Sequence, residues 1–106
     1  MIQIWGLKTC DTCKKALKAL PGSVLRDVRA EPLTAAERAD VLAQFGEALI
    51  NRASTTWRGL DEGARAQSPD ALLARHPTLM KRPVIRVGDA VHLGWGADVR
   101  AALGAD

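Results

Sequence analysis

At 106 residues and 47% hydrophobic content, the chain is sized for one domain with a core of its own. No apolar run reaches the roughly 20 residues of a bilayer crossing, and the N-terminus lacks a basic stretch followed by an apolar one. The expectation is therefore a cytosolic protein with no membrane partner. A net charge of only +3, one Phe, no Tyr and three dispersed Trp provide no ladder for base stacking, so nucleic acid is not the expected partner.

The chain opens with an apolar run, Ile2 to Trp5, which predicts a strand. Gly6 to Thr9 reads as a turn, and Asp11 to Leu20 has helical spacing with Ala16, Leu17 and Leu20 on one face. The only two cysteines, Cys10 and Cys13, stand where that helix begins. Cys10 is placed at the N-cap, beside unpaired backbone N–H groups and the positive end of the helix dipole, and both favour a thiolate. Lys8, Lys14 and Lys15 push the same way, and Asp11 weakly opposes them.

Cys10 is thus the expected acidic, exposed nucleophile. Cys13, one turn on and more sheltered, is the expected resolving thiol. A purely structural disulfide is disfavoured, because so small a loop removes little entropy from the unfolded chain. A zinc site needs a second pair of ligands, which the widely separated His76 and His92 do not make, so no metal is expected. C-x-x-C between a strand and a helix reads as redox chemistry. The modest positive charge suits a small anionic substrate such as glutathione or an oxyanion.

After Pro21-Gly22, Ser23 to Val28 reads as a second strand. Thr34 and Glu37 then form a capping box for a helix whose apolar positions are Ala36, Ala39, Val41, Leu42 and Phe45, with Gly46 ending it. Ala48 to Asn51 reads as a short helical turn and Ser54 to Gly59 as a loop. Ser68-Pro69 starts a helix to about Arg75, where His76 reads as a C-terminal hydrogen-bonding residue. Arg38, Asp40, Asp61, Glu62 and Arg65 read as solvated faces, and Trp57 as a packing residue more than a gate.

The last third changes period. Val84 to Val87 and Ala90 to Leu93 flank Gly88-Asp89 as a hairpin, and Ala97 to Leu103 closes with a helix. A parallel β-α-β start and an antiparallel hairpin together predict an α/β fold with a four-stranded mixed sheet.

Three segments, Ile4-Trp5-Gly6-Leu7-Lys8-Thr9-Cys10-Asp11-Thr12-Cys13-Lys14-Lys15-Ala16, Asn51 to Leu60, and His76 to Ile85 followed by Leu93-Gly94-Trp95, are similar in order and spacing to one family. The chain resembles the arsenate reductase (ArsC)/Spx family of thioredoxin-like proteins, and most closely its small YffB-type members. The resemblance implies a thioredoxin-like core (residues 1–30 and 77–106) with an inserted helical subdomain (31–76). It matches Cys10 to the family's catalytic cysteine and Arg82-Pro83 to its Arg-Pro element, whose proline is cis and faces that cysteine.

Lys8, Thr9, Lys14, Arg52, Arg82, Pro83 and Trp95 are the substrate-binding residues this implies, beside catalytic Cys10 and Cys13. The implied activity is thiol–disulfide reduction coupled to glutathione, thioredoxin or glutaredoxin as reductant, with no bound cofactor. Arsenate reductases of this type use three arginines; here Asn51-Arg52 shifts one by a position and Trp95 stands at another, which counts against arsenate. Cys13 resembles the second cysteine of Spx proteins, whose reading is a redox-sensing regulator that binds RNA polymerase.

Overall fold

The computed structural model describes residues 1–105, and Asp106 lies outside the described residues. Two compact units emerge: Met1–Val28 with Arg82–Asp106, and Arg29–Lys81. No described helix is long and apolar enough to cross a membrane.

The first unit contains β1 (Ile2–Gly6), α1 (Asp11–Ala19) and β2 (Val24–Asp27), and later β3 (Val84–Val87), β4 (Ala90–Leu93) and α6 (Ala97–Ala102). Its four strands form the mixed sheet that the patterning predicts, in the order β2-β1-β3-β4. β1 runs parallel to β2, with Gly6 opposite Asp27, and antiparallel to β3, with Ile4 opposite Ile85. β3 and β4 form the hairpin around Gly88-Asp89. Gly88 supplies the positive φ of 60° that a glycine-first two-residue turn requires.

Alternation along the strands sends side chains to opposite faces. Ile4 and Ile85 share one face and are fully buried with Ala16 and Leu20 from the α1 end and Val99 from α6. Each such aliphatic side chain contributes about 1.5–3 kcal/mol by leaving water. On the other face Trp5 is buried between Arg26, its partner on β2, and Arg86, whose guanidinium carbons lie 5.5 and 5.1 Å from the ring centroid. The Trp5 Nε1–H donates to Gln3 Oε1 at 3.1 Å, which satisfies the one polar atom of the indole.

The second unit is helical: α2 (Ala35–Phe45), α3 (Thr55–Arg58), α4 (Glu62–Arg65) and α5 (Pro69–Arg75), with short 3-10 turns at Gly46–Leu49 and Pro77–Leu79. The predicted capping box is formed at both ends: Glu37 N–H donates to Thr34 Oγ1 at 3.1 Å, and Thr34 N–H to Glu37 Oε1 at 2.8 Å. α2 packs against α5, and Arg38 reaches Asp70 at 2.8 Å, so Arg38 is not simply solvated. His76 caps α5 through its backbone N–H, which donates to Leu72 O at 2.8 Å.

Several expectations need correction. The segment predicted as a loop at Ser54 to Gly59 holds a short helix, Thr55–Arg58, because Ser54 Oγ accepts from Trp57 N–H at 3.1 Å and starts α3. The helical turn predicted at Ala48 to Asn51 lies earlier, at Gly46–Leu49, since Ile50 leaves it to form an antiparallel bridge with Met80. That bridge, with Lys81 N–H donating to Leu49 O at 2.8 Å, ties residues 77–81 to the helical unit. Ala36 and Ala39 are exposed; Val41 is the residue of α2 that is wholly buried.

Candidate active site

β1 ends at Gly6, and the chain then turns tightly, with Cys10 N–H donating to Leu7 O at 3.0 Å. Two cross-links hold this turn to β2: Val28 N–H donates to Gly6 O at 2.9 Å, and Lys8 N–H to Asp27 Oδ2 at 3.1 Å. Cys10 follows in an extended conformation, φ −84° and ψ 121°, and is the N-cap of α1. Its own carbonyl accepts the first intrahelical bond, from Lys14 N–H at 3.0 Å.

Both cysteines are free thiols, Cys10 partly exposed and Cys13 buried. Partial burial pushes the Cys10 thiol up, but this is outweighed by the backbone N–H of Cys13, the Cys13 thiol, the Arg82 guanidinium and the backbone N–H of Thr12. The net effect holds Cys10 below its ordinary value. The sulfur makes no formed cap hydrogen bond, so the N–H groups act as nearby positive charge at the helix end. Cys13 is driven the opposite way. Burial, with the Cys10 sulfur against it, pushes Cys13 up to about 11, even though the Leu7 backbone and the Arg82 charge oppose this. One thiol is thus poised to ionise and its neighbour to stay protonated.

Gly6 is the floor under the pair. A Cβ on Gly6 would run into Cys13 Sγ and come within 3.9 Å of Arg82 Cβ. Gly6 therefore lets the Cys13 thiol lie against the backbone of β1, a close approach that only glycine permits, while the Arg82 stem stands at ordinary contact distance. The Arg82–Pro83 peptide is cis, Pro83 is buried, and its carbonyl accepts from Gly94 N–H at 2.8 Å.

Cys10, Cys13 and Arg82 are the predicted site residues that the structure brings together. Lys8, Thr9 and Lys14 are exposed around them, and the guanidinium of Arg82 is the charge that acts on Cys10. Trp95 packs against the Ile4–Ile85–Val99 core, and its carbonyl accepts from Arg100 Nη1 at 3.2 Å. Arg52 belongs to the helical unit. There it pairs with Glu47 at 3.3 Å, lies 5.3 Å from the centroid of Trp57, and lines a concavity of about 410 Å³ with Ile50, Asn51 and Lys81. Arg65 also stacks on Trp57, at 5.3 Å, and binds the Trp57 carbonyl, so Trp57 is held between two guanidinium groups.

Two residues went unnoticed in the sequence. Gly6 falls in the predicted turn and Asp27 inside the predicted Ser23 to Val28 strand, with no local signal of a site. The parallel register that sets Asp27 opposite Gly6 is the feature that brings both to the site.

Removing the Arg82 charge moves the Cys10 titration up. In a pH series of iodoacetamide modification, Arg82→Leu is expected to shift the Cys10 midpoint to higher pH and slow modification at neutral pH several-fold. An unchanged midpoint shows that Arg82 does not act on the thiol.

The ArsC family model matches residues 5–102. An uncharacterized protein of Haemophilus influenzae (strain ATCC 51907 / DSM 11121 / KW20 / Rd) is 42% identical over 94 residues, covering 80% of this chain and 82% of its own. Among solved structures, the YFFB (PA3664) protein superposes with a TM-score of 0.86 at 31% identity, over 97% of this chain and 98% of its own. An arsenate reductase (ArsC) related protein from Brucella melitensis gives a TM-score of 0.73 at 31% identity, over 95% and 92%. With the thiol pair on the strand–helix junction of a thioredoxin-like core, the chain belongs to the ArsC family, as one of its YffB-type members.

Proposed function

We propose that the protein is a thiol–disulfide reductase that uses Cys10 as nucleophile and Cys13 as resolving thiol, coupled to glutathione or a thioredoxin-like reductant. The observation that carries this reading is the placement of two free thiols at one helix start, Cys10 partly exposed at the N-cap and Cys13 buried three positions on.

The Cys10 thiolate attacks one sulfur of a substrate disulfide, forming a mixed disulfide and releasing the other sulfur as a thiolate that takes up a proton. Cys13 then loses its proton and attacks Cys10 Sγ. The substrate leaves as a second thiol, and a Cys10–Cys13 disulfide remains, so two electrons pass to the substrate. The timing is built in. The Cys10 sulfur, by hydrogen bonding and by its charge, is part of what keeps Cys13 protonated, and a neutral mixed disulfide on Cys10 withdraws both influences. Cys13 becomes more acidic at the step that needs its thiolate. Arg82, held beside Cys10, supplies a fork for a substrate carboxylate, with Lys8, Thr9 and Lys14 at the rim and Pro83 as the facing wall.

Arsenate reduction is the weaker reading. It keeps Arg82 but has an indole, committed to the core, at the place of a third guanidinium. One lost charge-assisted contact of about 1.5–3 kcal/mol weakens oxyanion capture by one to two decades.

Mass spectrometry of Cys13→Ser after exposure to oxidised glutathione tests the proposal. One glutathione adduct, mapped to Cys10 and persistent, is expected; the wild type gives the Cys10–Cys13 disulfide instead. An adduct that resolves equally fast in both proteins overturns the resolving role of Cys13.

A further inference from the structure

Cys10, Lys14, Leu17 and Lys18 follow one another at helical positions i, i+4, i+7 and i+8, so at about 100° per residue they form one stripe along α1. The flank beside it is spent on burial, with Cys13 and Ala16 both fully covered, and Leu17, expected on the face of Ala16 and Leu20, lies at the exposed edge of that flank. Beyond the partly exposed Cys10, Lys14, Leu17 and Lys18 and their neighbour Lys15 are exposed, and Leu17 is one of the few large apolar residues left at the surface, 36% accessible.

Asp11 is the one acid on α1, and among the described residues it forms no salt bridge with Lys14 or Lys15, three and four positions away. Lys14 and Lys18 are like charges at i and i+4, an arrangement that destabilises an isolated helix by a few tenths of a kcal/mol. Lysines near a helix start also oppose the dipole. A cationic stripe with an apolar residue in it, headed by the reactive thiol, is the form of a docking surface and not of a helix tuned for its own stability.

Its length indicates the size of what it receives. Lys18 lies about 12 Å along the axis from Cys10. An extended tripeptide spans only about 10 Å, and one joined to Cys10 through its central residue reaches roughly half as far. The outer lysines are out of range of a small thiol but suited to an acidic protein surface, which gains steering from the field as it approaches.

Resting on the proposed exchange reaction, we infer that Lys14, Lys15, Leu17 and Lys18 form the docking surface for an acidic protein dithiol that regenerates the reduced enzyme. A partner thiolate attacks Cys10 Sγ of the Cys10–Cys13 disulfide, because Cys10 is the accessible sulfur and Cys13 is buried. Cys13 departs as a thiolate and takes up a proton. The partner's second thiolate attacks its own sulfur in the mixed disulfide and releases Cys10. Two electrons enter the chain, and the partner leaves as a disulfide.

The test measures, by stopped flow, the reduction of the oxidised protein by three dithiols: a glutamate-rich C-x-x-C peptide, its glutamine counterpart, and dithiothreitol. At low salt the wild type is expected to prefer the glutamate peptide by about tenfold and to lose that preference at high salt. Leu17→Ser with Lys18→Glu is expected to reduce that preference severalfold while leaving the dithiothreitol rate within about twofold. Equal peptide rates in the wild type, or an equal loss with dithiothreitol in the variant, overturn the docking surface. Absence of a reducible Cys10–Cys13 disulfide refutes the exchange reaction itself, and this inference with it.

Discussion

Cys10→Ser is expected to abolish disulfide exchange, lowering turnover by at least about three orders of magnitude, or roughly 4 kcal/mol of transition-state stabilisation. A serine hydroxyl keeps the shape of the N-cap and is a better cap than a thiol, so α1 is expected to remain folded or gain slightly. Yet it does not ionise at neutral pH, and its oxygen does not attack sulfur at a useful rate. The groups that favour the Cys10 thiolate, namely the Cys13 N–H, the Cys13 thiol, Arg82 and the Thr12 N–H, then have no anion to act on. The decisive control is a circular-dichroism melt beside the activity assay. An unchanged melt with lost turnover assigns the chemistry to Cys10, and retention of more than a few per cent of activity in Cys10→Ser refutes it.

Gly6→Ala carries the second large effect, on stability. Gly6 has an ordinary negative φ, so alanine meets no backbone strain there, and the change would even remove some unfolded-state entropy. The penalty is steric. The added methyl occupies the space of Cys13 Sγ, a fully buried atom with little freedom to retreat. Overpacking of this kind typically destabilises by about 1–3 kcal/mol, which lowers the melting midpoint by roughly 5–15 °C in a domain of this size. A double-mutant comparison isolates the cause. In a Cys13→Ala background the sulfur is gone, so Gly6→Ala is expected to lose most of its effect. If the effect is as large there as in the wild type, the contact with Cys13 is not its source.

Stability at alkaline pH follows from the burial of Cys13 beside the Cys10 sulfur. Cys13 is displaced upward in the folded protein, to about 11, so the folded state holds its proton where an unfolded chain releases it. Its contribution is complete below the ordinary thiol range and is lost as pH rises from that range toward about 11.

Features set by near neighbours in the chain were legible before the structure. The Thr34–Glu37 capping box, the Gly88-Asp89 hairpin and Cys10 at a helix start each depend on residues within a few positions, and each stands where the spacing put it. The four-stranded mixed sheet followed from combining two such local units. Features that depend on distant partners were not legible. Ala36 and Ala39 carry the right period for burial, but which face of α2 is covered is decided by where α5 packs. Ser54 to Gly59 lacks an apolar period, and its one turn of helix is held by a serine cap and by Arg65 folding back onto the Trp57 carbonyl. At the site itself, the lysines beside Cys10 in sequence drew the electrostatic argument, whereas the guanidinium that acts on the thiol arrives from the far end of the chain. The resemblance to the ArsC family, and not any local pattern, pointed to Arg82.

Central to the chemistry is the opposite displacement of two chemically identical thiols three positions apart, Cys10 below the ordinary thiol value and Cys13 up to about 11. It is tested most directly by following iodoacetamide modification of each cysteine separately, by peptide mass mapping, across a pH series on the folded wild type. Cys10 is expected to react first, with a midpoint below the ordinary thiol value, while Cys13 stays unmodified until pH approaches about 11. Modification of Cys13 before Cys10, or of both with one common midpoint, contradicts the account.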